Sequence, residues 1–280
     1  MKKEKIAFQG ELGAYSHIAV NEIFKNADIK TCSTFEETFK IAFEDDAYKI
    51  VIPLENSLAG RVADIHYLLP KYKLQIHGEH FQAVEHNLIV RPESDIKDIE
   101  FVRSHAQAIG QCQKIIMNNN YKTIISADTA GSAKELSESK DKSIAAIASK
   151  LSAKIYGLKI LKENIEDEES NVTRFLIMGK NVQQPEFKKG KKYITTCIVR
   201  LKSKPSALYK SLGGFATNQI NMTKLESFSV KNTFAQTNFY LDFEGHLDDK
   251  LVQNAMEELG FHTESLYILG VYEASSFRQK

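Results

Sequence analysis

Through residue 180 the sequence switches repeatedly between short runs rich in β-branched residues and segments whose apolar residues fall at helical spacing. That alternation constrains the fold more than any other feature. A chain that keeps exchanging period two for period 3.6 folds as α/β with mostly parallel sheets, because a helix carries each crossover between parallel strands. "KIAF" reads as a strand, and Tyr15, Ile18, Ala19 and Ile23 follow at helical spacing. In "STFEETFKIAF", Thr34 and Glu37 have capping-box spacing, and Phe35, Phe39 and Ala42 share one helical face. "YKIVIPL" reads as a buried strand, and the polar loop "ENSLAGRV" follows at its C-terminal edge, where ligands bind in open α/β sheets. "HFQAVEHNLIV", "IEFVRS", "YKTIIS", "SIAAIAS" and "VTRFLIMG" are further strands, with helices predicted over 106–117, 129–137 and 151–156.

The pattern breaks at 181–192. "NVQQPEFKKGKK" has Pro185, Gly190 and a basic cluster and no periodicity, so it reads as a linker, its charge run a solvated hinge. Beyond it, "YITTCIVRL" alternates as a strand, and Leu208, Leu212, Phe215 and Ala216 make a helical stripe. "MTKLESFSV" and "TFAQTNFYLDFEG" flank a turn at "KN", Leu251, Ala255, Met256 and Leu259 make a second stripe, and "ESLYILGVY" closes the set. That order is βαββαβ, the ferredoxin-like pattern.

Composition narrows the function. Lys+Arg 37 against Asp+Glu 36 leaves a net charge of +1, so no overall field draws the chain to nucleic acid or to an anionic membrane. Cys32, Cys112 and Cys197 are odd in number and far apart, against both a disulfide framework and a zinc site. The start "MKKEKIAFQG" lacks the apolar stretch of a secretory signal, and no later run approaches the ~20 apolar residues of a membrane span. A cytoplasmic protein is expected. Among eight histidines, His77, His80 and His86 come nearest to a cluster, beside Glu79 and Glu85, but without metal-ligand spacing.

Four segments carry possible chemistry. "GELGAYS" places Gly10 and Gly13 between a strand and a helix start, which suits either an anion at the backbone N–H groups or a plain tight turn. "PLENSLAGRV" offers Asn56 and Ser57 as hydrogen-bond donors, and Gly60 lets backbone approach a ligand. "RSHAQAIGQC" brings Ser104, His105, Gln107 and Gln111 from a strand end into a helix start, either for a ligand or as helix capping. "NVTRFLIMGK" sets Thr173, Arg174 and Phe175 at the front of an apolar strand.

In this order and at these separations, the four segments resemble those of the prephenate dehydratase family. The tail, with "SALYKSLGGFATNQINMTKLES", is similar to the ACT regulatory domain that this family carries. The resemblance implies a two-lobed, periplasmic-binding-protein-like α/β catalytic region over 1–182, with lobe one about 1–77 and 159–182 and lobe two about 78–158. A linker at 183–192 and an ACT domain at 193–280 follow. It also implies loss of water and carbon dioxide from prephenate to give phenylpyruvate, with no cofactor and no metal. Thr173 matches the family's essential threonine, which gives a proton or a hydrogen bond to the departing hydroxyl. Asn56, Ser57, Gly60, Ser104, His105, Gln107, Gln111 and Thr129 match positions around the substrate. Arg174 and Phe175 also match positions at the substrate. Arg174 either clamps a substrate carboxylate or, since it alternates away from Thr173 on a strand, serves in a structural ion pair, the favoured reading. Phe175, on the same side as Thr173, packs beside the substrate ring or fills the cleft wall. Ala207, Leu208, Asn221, Glu226 and Ser227 match the regulatory pocket, and phenylalanine is the implied effector. The family's Gly-Ala-Leu reads Ser206-Ala207-Leu208 here, its Glu-Ser-Arg-Pro reads Glu226-Ser227-Phe228-Ser229, and its Ser-His-Pro-Gln has Ala106 in place of proline. Pairing of ACT domains implies a dimer or a tetramer. Arogenate dehydration, or amino-acid sensing without catalysis on the same fold, are the alternatives.

Overall fold

The structure is a computed structural model that describes residues 3–229 and 236–279. The chain divides into two compact units, one of Met1–Ile41, Ala47–Val62 and His80–Phe175, the other of Ala42–Asp46, Ala63–Glu79 and Leu176–Lys280.

The first strands and helices run β1 (Glu4–Gln9), α1 (Tyr15–Ile23), β2 (Ala27–Cys32), α2 (Phe35–Glu44), β3 (Tyr48–Asn56), β4 (Gly60–Arg61), α3 (Ala63–Tyr72) and β5 (Gln75–Ala83). Strand β1 pairs in parallel with both β2 and β3, and Ile6, Ala7, Phe8, Ile50, Val51 and Ile52 are fully buried. Helix α2 starts where the sequence predicts it. The N–H of Glu37 donates to Thr34 Oγ1 at 3.1 Å, and the Glu37 carboxylate accepts from the N–H of Ser33 at 2.8 Å.

The elements of a second sheet follow as β6 (Asn87–Val90), β7 (Phe101–Ser104), α4 (Ala106–Gly110), α5 (Gln113–Asn118), β8 (Lys122–Ile125), α6 (Thr129–Glu138), β9 (Ile144–Ala148), α7 (Lys150–Ile155) and β10 (Lys159–Lys162). The chain then returns as β11 (Val172–Gly179), and the first sheet is ordered β2-β1-β3-β11-β5, with β4 beside β3. The second is ordered β10-β6-β9-β7-β8. Both faces of the second sheet are covered. Leu88 and Val90 of β6 face one apolar cluster while Ile89 faces the other, as period two requires.

Three sequence expectations change here. The second sheet is mixed, since β7 pairs in parallel with β8 and β9 while β6 runs antiparallel to both β9 and β10. Strand β6 alone is reversed, because it follows β5 with no crossover helix between them, whereas β10 follows α7 and runs with β7, β8 and β9. "HFQAVEHNLIV" is two strands, because Val84 donates its N–H to the Asn171 carbonyl at 2.9 Å and takes the chain from one sheet to the other. The helix expected over 106–117 is also two, broken at Gln111 and Cys112.

The C-terminal part has β12 (Tyr193–Leu201), α8 (Ala207–Thr217), β13 (Met222–Ser229), β14 (Thr237–Glu244), α9 (Lys250–His262) and β15 (Thr263–Glu273) in the sheet order β13-β14-β12-β15. This is βαββαβ, with all three strand pairings antiparallel. Cys197, Val199, Phe215, Leu241, Phe243, Val252, Ala255 and Leu259 form its core. The expected turn at Lys231 and Asn232 lies outside the described residues.

Ser206 precedes α8 with φ 62° and ψ 15°, a left-handed conformation that L side chains other than Asn and Asp seldom adopt, and its side chain makes no capping hydrogen bond. Replacing it removes a strained Cβ and no cap. Ser206→Gly is therefore expected to stabilise the fold by about 1 kcal/mol, read as a higher midpoint in thermal or urea unfolding.

Candidate active site

Asn56 ends β3, and the fate of its side-chain oxygen decides everything around it. Oδ1 accepts the N–H groups of Leu58 at 3.0 Å and Ala59 at 2.9 Å, an Asx turn that opens the polar loop. An oxygen held by two N–H donors cannot exchange places with the amide nitrogen, so Nδ2 is a donor. It reaches Asn171 Oδ1 at 2.7 Å and Thr173 Oγ1 at 2.9 Å, with the Val172 carbonyl at a longer 3.3 Å.

Thr173, on β11 and 9% exposed, thus accepts a hydrogen bond. Its own hydroxyl proton has no acceptor among the described residues, so it is left for a ligand. Ser57 stitches the loop to the same strand. Its N–H donates to the Val172 carbonyl at 2.8 Å, and its hydroxyl donates to the Ser170 carbonyl at 2.9 Å while accepting the Val172 N–H at 3.0 Å.

Because Asn171 Oδ1 accepts, its Nδ2 donates, and the acceptor is Gln111 Oε1 at 2.9 Å. His86 Nε2 lies 2.9 Å from that same oxygen. With Oε1 of Gln111 held from two sides, its Nε2 is the end with hydrogens to offer, and no acceptor for them stands among the described residues. Gln111 reaches this position because the helix breaks at it. Its carbonyl accepts the Asp167 N–H at 2.7 Å, and the Asp167 carboxylate caps α5 through the N–H groups of Gln113 at 2.8 Å and Lys114 at 3.1 Å.

Arg174, 3% exposed, donates to Glu55 Oε1 at 3.1 Å. Alternation along β11 puts it on the opposite side from Thr173 and from Phe175, which is itself buried. A cation so far from water needs that carboxylate.

The other expected site residues are placed more loosely. Ser104 is fully buried and donates its hydroxyl to the Ile147 carbonyl at 2.7 Å. His105 is the N-cap of α4, its Nδ1 accepting the Gln107 N–H at 3.3 Å, and the Gln107 side chain is exposed. Thr129 opens α6 behind its cap Asp128, whose carboxylate accepts the Gly131 N–H at 2.6 Å. Gly60, with φ +77°, is exposed beside open space. "GELGAYS" is a tight turn. The Gly13 N–H goes to His17 Nδ1 at 3.0 Å, and its carbonyl accepts the hydroxyls of Ser149 at 2.6 Å and Ser152 at 3.0 Å. A Cβ at Gly13 would lie 2.7 Å from the Ser152 Cα, which explains the glycine.

Sequence reasoning did not assign Asn171, His86 or Tyr15 to the site: His86 stood only among histidines without metal-ligand spacing, and Tyr15 only at a helix start. The Tyr15 hydroxyl donates to the Glu85 carbonyl at 2.6 Å and lies 3.0 Å from His86 Nδ1. Burial, reinforced by Glu166, Cys112 and Glu85, raises the Tyr15 phenol well above its usual pKa. Burial lowers His86, against opposing pulls from Gln111 and Glu166. Among the described residues no three His, Cys, Asp or Glu side chains gather as a metal site.

In the C-terminal part, residues 201–208 and Phe239 line a hollow of about 430 Å3. Ala207 and Leu208 belong to it. Asn221 precedes β13, and Glu226 and Ser227 are on β13, on the far side of β14 from β12, and none of the three lines the hollow. Glu226 instead meets Lys224 Nζ at 2.9 Å and lies 3.5 Å from His66 Nε2. Phe228, where the family has arginine, packs edge-on against His66 and Tyr67 of α3.

Two α/β sheets with a site of uncharged donors make a periplasmic-binding-protein-like catalytic region, and the βαββαβ module that follows fits an ACT domain. The chain belongs to the prephenate dehydratase family, whose model matches residues 6–183. It is 42% identical over 278 residues to a bifunctional N-acyl-homoserine lactone acylase/prephenate dehydratase of Komagataeibacter europaeus, covering 98% of each chain. It is 34% identical to arogenate dehydratase/prephenate dehydratase 2, chloroplastic, of Arabidopsis thaliana, covering 96% of this chain and 72% of that one. Among solved structures, the prephenate dehydratase of Arthrobacter aurescens in complex with L-Phe superposes with a TM-score of 0.90 at 27% identity, covering 98% of this chain and 91% of that one. No helix among the described residues is long and apolar enough to cross a membrane.

Proposed function

We infer that the chain converts prephenate to phenylpyruvate, with Thr173 at the departing hydroxyl. The observation that carries this reading is the direction of the Asn56–Thr173 hydrogen bond. As the ring carboxylate leaves as carbon dioxide, its electron pair enters the ring and the ring hydroxyl leaves. Hydroxide is a poor leaving group, so the step needs a proton or a strong hydrogen bond on that oxygen. Aromatisation supplies the driving force and no cofactor is required. The protein's part is to align the two leaving groups and present the donor. Gln111 Nε2, Asn56, Ser57, Gly60, Ser104, His105, Gln107 and Thr129 supply donors, backbone or walls for the two substrate carboxylates, while Arg174 braces β11 through Glu55. Incubating the purified protein with prephenate and following phenylpyruvate tests the reading, and absence of turnover rejects it.

Arogenate differs from prephenate by an amino group in place of the side-chain keto group, and comparison of kcat/KM on the two substrates separates those activities. A second reading, hydrolysis of N-acyl-homoserine lactones, rests on the 42% identity to a relative so named. Among the described residues, the Ser57 and Ser104 hydroxyls are engaged by backbone carbonyls rather than by a histidine base. Release of free homoserine lactone would support that second activity.

The catalytic domain spans 1–182 and the ACT domain 193–280, joined by 183–192. Phenylalanine acts as inhibitor through the ACT domain, with Ala207 and Leu208 of the hollow and, from a paired ACT domain, Asn221, Glu226 and Ser227 as its contacts. The support is the βαββαβ order, the hollow at 201–208 and a relative crystallised with L-Phe. The chain works in the cytoplasm as a dimer or tetramer paired through ACT domains, where Tyr209, Leu225 and Leu266 stand exposed on α8, β13 and β15. Turnover measured against phenylalanine concentration, together with light scattering for mass, tests both.

A further inference from the structure

We propose that His86 is a positioning residue for the dehydration, the donor that closes the chain His86–Gln111–Asn171–Asn56 and so holds the amide hydrogens of Gln111 toward the substrate. The inference rests on the dehydratase reading for its purpose but on hydrogen-bond logic for its content. Four buried or half-buried side chains stand in series at 2.9, 2.9, 2.7 and 2.9 Å, ending at Thr173. Each amide has one donor end and one acceptor end, so a single fixed end sets the direction of the whole series.

The fixed end is Asn56, whose oxygen holds two backbone N–H groups. Counting outward, Asn171 must donate to Gln111, and Gln111 must accept through Oε1. His86 therefore carries its proton on Nε2, whichever ring nitrogen a free imidazole would prefer. Its bare Nδ1 lies 3.0 Å from the Tyr15 hydroxyl, whose one proton is shared between that nitrogen and the Glu85 carbonyl at 2.6 Å, so the ring is gripped from both sides. The ring is 2% exposed, which leaves water no room to replace it.

Without the Nε2–H group, Gln111 keeps only the Asn171 contact on its oxygen and is free to turn its carbonyl toward the substrate carboxylate. The reacting geometry suffers more than the fold does.

Two measurements test this on the full chain. In the unmodified protein, 15N NMR of the His86 ring is expected to show Nε2 protonated and Nδ1 bare, and a ring protonated on Nδ1 alone overturns the proposal. For kinetics, glutamine places its amide where Nε2–H stands, whereas asparagine is one carbon too short. His86→Gln is expected to keep kcat and KM within about threefold, while His86→Asn loses about tenfold or more in kcat, the worth of one positioned hydrogen bond, and raises KM for prephenate because Gln111 then turns its carbonyl to the substrate carboxylate. Equal kcat for the two variants overturns the proposal. If both variants unfold, the tautomer decides alone. A protein that turns over no prephenate rejects the dehydratase reading and leaves the tautomer test standing.

Discussion

Thr173→Val is expected to lower kcat on prephenate by about 10²- to 10⁴-fold, the usual range for losing a positioned proton donor. Valine keeps the shape and burial of threonine and removes only the hydroxyl, so the change isolates the chemistry. KM should move little, because a ground-state alcohol gains little from one more hydrogen bond, whereas an oxygen leaving with negative charge gains much. Stability should fall by about 1 kcal/mol, since Asn56 Nδ2 keeps Asn171 Oδ1 as acceptor and loses only Thr173 Oγ1. Thr173→Ser retains the hydroxyl and should keep most of the activity. The arrangement also bears on how far the proton moves. Threonine is a weak acid, but the Asn56 amide that donates to Oγ1 would stabilise negative charge developing there, so the same bond that orients the proton eases its release. Steady-state kinetics and thermal unfolding check each point, and near-normal kcat in the valine variant would remove Thr173 from the reaction.

Elements whose pattern is local were legible in the sequence. The continuous apolar runs of β3, β9 and β11 and the βαββαβ tail declare themselves, since a strand buried on both faces leaves an unbroken apolar run and an element buried on one face leaves a period that can be counted. The break at Gln111 was not legible. Ile109, Cys112 and Ile116 keep helical spacing straight through it, and the residue that ends the pattern is Asp167, 54 positions from the Gln113 it caps. The split of "HFQAVEHNLIV" has the same origin in the distant carbonyl of Asn171. Strand β2, "ADIKTC", is largely exposed, so no apolar period marks it. The site divides the same way. Thr173, Asn56 and Gln111 stand in short motifs that a resemblance can carry. Asn171 and His86 matter through the direction of hydrogen bonds between residues 25 to 115 positions apart, which no spacing encodes.

That direction gives the second large effect. Asn56→Asp preserves shape almost atom for atom and should nonetheless lower kcat by about 10²-fold or more. One carboxylate oxygen can keep the Leu58 and Ala59 N–H groups, but the other stands where Nδ2 stood, 2.7 Å from Asn171 Oδ1 and 2.9 Å from Thr173 Oγ1, with no hydrogen for either. Thr173 then turns its proton inward to the new acceptor, which removes it from the substrate. Asn171 must rotate to offer its nitrogen, which sets its oxygen against Gln111, and Gln111 answers by presenting its carbonyl to the substrate carboxylate. One changed atom therefore reverses two donors, and KM should rise along with the fall in kcat. Asn56→Ala removes the donor without supplying an acceptor, so Thr173 keeps its proton outward and the loss should be smaller. The order wild type, alanine, aspartate in kcat/KM is the signature of direction. If Asn56 served only to fill space or to hold the loop, the near-isosteric aspartate would be the milder of the two changes.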